Sequence, residues 1–82
     1  MDERLTFVRA DGAQAVVTAL DARAIADALW ELGVLIGAAT AATSIVDALR
    51  TRPQLRNPVR FSAREGEALS RAGGGLLSWA PR

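Results

Sequence analysis

Asp27 and Glu31 stand four residues apart in a stretch of helical periodicity. At that spacing two carboxylates share one helix face and can, in principle, exchange a proton or hold a cation. Arg23 lies one turn earlier on the same face, so the row reads more simply as a solvated, ion-paired surface. Ser62 is a second candidate, as a nucleophile, but the chain contains no histidine, lysine or cysteine to activate it or take its place. The run Gly73, Gly74, Gly75 precedes neither a lysine nor a new helix and so lacks the pattern of a phosphate-binding loop. These residues predict no catalytic set, no metal site and no cofactor.

Arg52, Arg56, Arg60 and Arg64 recur at every fourth position. On a helix they would form a basic stripe, but Pro53 and Pro58 forbid one continuous helix. What remains is a positive loop and strand suited to phosphates or to an acidic protein surface. Phe61 is the one aromatic residue in that segment and is expected in the core, which leaves nothing for bases to stack on. "AIADALWELGV" followed by "TAATSIVDALR" faintly resembles a helix-turn-helix. Its second helix would offer Thr40, Thr43, Ser44 and Asp47, none of which grips guanine as arginine does. A small nucleic-acid-binding regulator using residues 50–64 is therefore the alternative reading, not the first.

The elements that must position these residues fit one small domain over residues 1–82. Half the chain is hydrophobic, yet seventeen of those forty-one residues are alanine. Stability must then come from close helix approach and a few large side chains, and a second copy is a common remedy at this size. All ten basic residues are arginine, which suits a GC-rich bacterial genome. The opening "MDERLTFVRA" is charged and then alternates, with no apolar secretion signal, so the expected location is cytoplasmic. Residues 1–50 carry four arginines against seven acids, and residues 51–82 six against two, so the chain is dipolar.

"LTFVRADGAQAVVTAL" predicts a β-hairpin, with Asp11-Gly12 as a two-residue turn and residues 13–20 as the return strand. Val16 and Val17 are consecutive, which suggests burial on both faces there. Asp21 is placed as the N-cap of a helix over 21–32, with Ile25, Ala28, Leu29 and Leu32 on its apolar face and Trp30 on the flank. Leu35, Ala38, Ala42, Ile45, Val46 and Leu49 form a second stripe, turned by roughly 100° from the first. One straight helix cannot direct both stripes at one core, so a break at Gly33 and a second helix over 34–51 are predicted. The connector "TRPQLRNPVR" leads to a short strand "VRFS". Ser62 and Glu65 then form a capping box for a helix over 63–72, ended by the glycines. The fold class is α+β: a hairpin, two helices, a short third strand, a C-terminal helix and an ordered apolar tail.

The uncharged run from Leu32 to Val46 has fifteen residues, short of the roughly twenty that span a bilayer. No membrane insertion is expected. Within the run Gly33, Gly37 and Ala41 recur at four-residue spacing, a pattern that lets another backbone come close. Trp30 and Trp79 have no evident internal place, and Leu76, Leu77 and Trp79 make the tail too apolar for a linker. The functional expectation is a non-catalytic interaction module, homo-oligomeric or docked to a protein partner. Its partner-binding residues would be Trp30, Gly33, Gly37, Ala41, Leu76, Leu77 and Trp79. A recruitment or sensing domain of a longer protein is a further alternative.

Overall fold

The computed structural model describes residues 3–51 and 57–80. Strand β1 (Arg4–Val8) pairs antiparallel with β2 (Gln14–Thr18), and β2 runs straight into helix α1 (Ala19–Leu32). Helix α2 (Ala38–Arg50) returns along α1, β3 (Val59–Arg60) pairs parallel with β1, and α3 (Ala63–Gly73) closes the fold. A single 3-10 turn (Gly74–Leu76) follows. The sheet order is β2-β1-β3, so the α+β architecture predicted from the sequence is the one observed.

Strand alternation decides which side of the sheet is covered. Leu5, Phe7, Ala15 and Val17 point into the core, whereas Val16 is 61% exposed on the other face. The expectation that Val16 and Val17 are both buried is thus corrected: the helices cover one face only, and period-2 geometry sends neighbours to opposite sides. The hairpin turn is also longer than two residues. Gly12 N–H donates to the Arg9 carbonyl and Arg9 N–H to the Ala13 carbonyl, which leaves Ala10, Asp11 and Gly12 as a three-residue loop. Gly12 alone takes a positive φ, of 92°, as a type I turn with a bulge requires. Asp11 instead spends its carboxylate on the Ala13 N–H at 3.1 Å.

The return strand ends at Thr18, not at residue 20, because Ala19 N–H makes the last hairpin bond to Glu3 and the helix begins there. Thr18 is the N-cap: its hydroxyl accepts from Asp21 N–H at 3.1 Å, so Asp21 lies in the first turn rather than capping it. Leu20, as a result, sits inside the helix. The second helix starts at Ala38, four residues later than predicted, because residues 33–36 are needed to reverse the chain. The capping box of α3 is present as expected, with Ser62 and Glu65 exchanging bonds of 2.9 and 3.2 Å.

The core is apolar throughout the described residues. Phe7 and Phe61 meet edge to face, their ring centres 5.1 Å apart, between Leu5, Ile25, Leu29, Ile45 and Leu69. Ala22 and Ala26 of α1, Ala38, Ala41, Ala42 and Ala48 of α2, and Ala68 of α3 are all buried, which lets the three helices approach closely. Among the described residues no helix is long and apolar enough to cross a membrane.

Candidate interaction surface

Helix α1 ends where Gly33, at φ 35°, turns its N–H back onto the Trp30 carbonyl at 3.2 Å. Val34 and Leu35 both donate to the Leu32 carbonyl, and Ala38 N–H bonds the Leu35 carbonyl at 3.1 Å as α2 begins. This reversal has room for little inside. Leu32 and Leu35 pack against the core and fill it. Val34 and Ile36, on either side of Leu35, are therefore turned outward, fully exposed and 65% exposed respectively. Trp30 lies on the flank of the last turn of α1, as the helical wheel predicts, and is 51% exposed. Three large apolar side chains thus stand exposed within seven residues of sequence, at the corner between α1 and α2. Leu20 and Val16 are also exposed, at the opposite end of α1 and on the open face of the sheet.

The small-residue row does not form one helix face. Gly33 is the C-cap of α1, Gly37 the N-cap of α2, and only Ala41 lies within a helix. Gly37 lies against α3: a Cβ there would sit 2.9 Å from the carbonyl carbon of Arg64 and 3.0 Å from the Glu65 nitrogen. Ala41 is completely buried. The close backbone approach expected of this row occurs within the chain, between the start of α2 and the start of α3.

The tail also lies on its own chain. Leu77 packs over Gly73, leaving no space for a side chain there. The Trp79 indole N–H donates to the Ser70 hydroxyl at 2.9 Å, and its ring carries the Arg9 guanidinium. Ala80 exchanges two backbone bonds with Gln14, at 2.7 and 3.1 Å, on the outer edge of β2. Leu76 alone among the named tail residues is largely exposed.

The charged candidates are dispersed. Arg23 and Asp27 pair on the surface at 3.7 Å, and both are well exposed. Among the described residues no three acidic side chains gather in a way that would hold a metal. Arg60 is exposed on β3 and Arg64 in the first turn of α3; Arg52 and Arg56 lie outside the described residues. The hydroxyls of Thr40, Thr43 and Ser44 bond carbonyls of residues 37–40, at the start of α2. An open hollow of about 490 Å³ between α2 and β3 is lined by Ser44, Asp47, Asn57 and Arg60, among others. Its Asn57 amide is committed to the strand edge, accepting from Thr6 N–H at 2.7 Å and donating to the Arg4 carbonyl at 3.3 Å.

One ion pair stands out in its geometry. Arg9 forks onto Asp11 with bonds of 2.9 and 2.6 Å. This hydrogen bonding, with a further bond from the Ala13 N–H, holds the Asp11 carboxyl at about 2. The same contact raises Arg9. The fork places the Arg9 guanidinium over Trp79, which makes it a positioning device for the tail.

Val34 and Ile36 are the surface residues that sequence reasoning passes over. The available signal was two glycines four apart enclosing three large apolar residues, a reversal too short to bury all three. No protein-family model, curated protein or solved structure matches the chain.

Proposed function

We propose that the chain is a non-catalytic protein-interaction module that docks a protein surface, a second copy included, at the apolar corner formed by Trp30, Val34 and Ile36. The exposure of these three side chains carries this reading. Covering a large aliphatic or aromatic side chain stabilises a complex by about 1.5–3 kcal/mol, and tryptophan is enriched among residues that dominate interfaces. Contiguous apolar patches on soluble chains commonly mark binding sites. The non-catalytic part rests on the residue content, which has no histidine, lysine or cysteine to act as a base or nucleophile or to activate a serine. The small-residue row and the tail take a supporting role: Gly37 lets the start of α2 approach α3, Ala41 is buried in the core, and Trp79 braces α3 against the hairpin.

A photo-crosslinking residue at position 36, with the exposed position 24 on the polar face of α1 as control, tests the docking surface. A protein adduct is expected from position 36, absent from position 24 and lost when Trp30→Ser is added. Equal yields from both positions, or no adduct from either, would remove the corner as a docking site.

A further inference from the structure

Resting on that reading of the corner, we infer that its occupant is a second copy of this chain, related by a two-fold axis and aligned by Glu31 of each copy against Arg64 of the other. The chain's own apolar tail is not available to cover the corner, since Leu77 lies over Gly73 and Trp79 is tied to Ser70 and Arg9. A stable dimer needs about 800 Å² from each partner, more than three side chains supply. The contact must therefore spread to the flanks of the corner, and those flanks are oppositely charged. Glu31 follows Trp30 directly in the last turn of α1. Arg64 lies by the far end of the reversal, where its backbone comes up against Gly37. Both side chains are exposed, and neither has an ion-pair partner among the described residues.

A two-fold contact over such a corner buries the apolar centre of both copies and forms two Glu31–Arg64 pairs at once. An open head-to-tail contact would leave a corner uncovered at one end of the assembly. The same sense of charge runs through the whole chain, net acidic over residues 1–50 and net basic over 51–82. Rim pairs of this kind fix the register and exclude wrong arrangements, while the apolar centre supplies the affinity.

The test is sedimentation equilibrium of the full chain across a concentration series at low and high salt, with folding of each variant checked by circular dichroism. Wild type is expected to dimerise and to remain dimeric at high salt. Trp30→Ser should abolish the dimer. Glu31→Arg and Arg64→Glu should each weaken it roughly tenfold or more, because each homodimer then holds two like-charge contacts. An equimolar mixture of those two variants should recover wild-type affinity, since the mixed dimer restores both opposite-charge pairs. A wild type monomeric throughout overturns the inference, and leaves the corner open to another protein under the crosslinking test. A dimer lost with Trp30→Ser but indifferent to both charge reversals overturns the two-fold alignment alone. A dimer untouched by Trp30→Ser overturns the inference and the docking corner together.

Discussion

The Arg9 guanidinium lies 4.9 Å from the centre of the Trp79 ring, held by a two-bond fork to the Asp11 carboxylate. Hairpin loop, C-terminal helix and tail are thus joined by one chain of contacts: Asp11 to Arg9, Arg9 to Trp79, Trp79 to Ser70. Trp79→Ala should lower stability by roughly 1–3 kcal/mol, less than for a wholly buried tryptophan. Ser70→Ala should act in the same direction and more weakly. Urea unfolding followed by circular dichroism measures both. Equal stability of wild type and Trp79→Ala would mean that the tail rests on the fold without supporting it.

The Asp11 carboxyl is drawn from its ordinary 3.8 to about 2, chiefly by the Arg9 hydrogen bonds. A carboxyl with a lowered folded-state value contributes stability that is present above its unfolded value and lost as pH falls through the folded one. Wild type should therefore exceed Asp11→Asn in stability at neutral pH, with the gap closing between about pH 4 and pH 2. Urea midpoints of the two proteins across that window check the sign. A constant gap would assign the effect of the substitution to the loop backbone instead.

Gly37 is the least replaceable glycine. Its φ is 91°, and an added Cβ would press on the Arg64 and Glu65 backbone, which cannot rotate away as a side chain would. Gly37→Ala should destabilise by about 2–4 kcal/mol, as expected where left-handed strain and a backbone clash coincide. Gly33→Ala should lose only about 1 kcal/mol, since φ is positive there too but the nearest atom, the Trp30 carbonyl oxygen, is 3.8 Å away. Thermal unfolding of the two variants tests the ranking. Because Gly37 is needed for folding, a bulky side chain at that position cannot serve as a probe of association.

Two helix caps separate by a comparison of neighbours. Thr18→Ala should lose about 1 kcal/mol and Asp21→Ala less, because the Thr18 hydroxyl makes the capping bond. Ser62→Ala should also lose about 1 kcal/mol through its half of the capping box. If Asp21→Ala proves the more damaging of the first pair, the helix begins at residue 22 in solution.

What the sequence discloses follows from how local each determinant is. The capping box at Ser62 and the alternation of Leu5 with Phe7 depend on neighbours two to four residues away, and both are legible. The hairpin is announced by Asp11-Gly12, but its length depends on Asp11 turning its side chain to Ala13, which the dipeptide does not reveal. Thr18 and Asp21 are both competent caps, and the choice is made by where β2 stops pairing with residues 3–8. The corner was half legible. The wheel places Trp30 on the flank, whereas the outward turn of Val34 and Ile36 follows from a reversal that occupies positions the periodicity assigns to a helix. The close fit of Gly37 against α3 joins residues twenty-seven apart, and no pattern within either segment announces it.

The seven helix alanines of the core give the chain an unusual mutational geometry. In a core of leucines, a substitution most often shortens a side chain, and neighbours partly relax into the gap. Here glycine is the only smaller residue, and within a helix it loosens the backbone as it removes the methyl group. Almost every other change at these positions must add volume and push two helices apart. The spacing of the three helices is therefore set by a lower limit, and sequence drift at the interface can widen it but has almost no means of narrowing it.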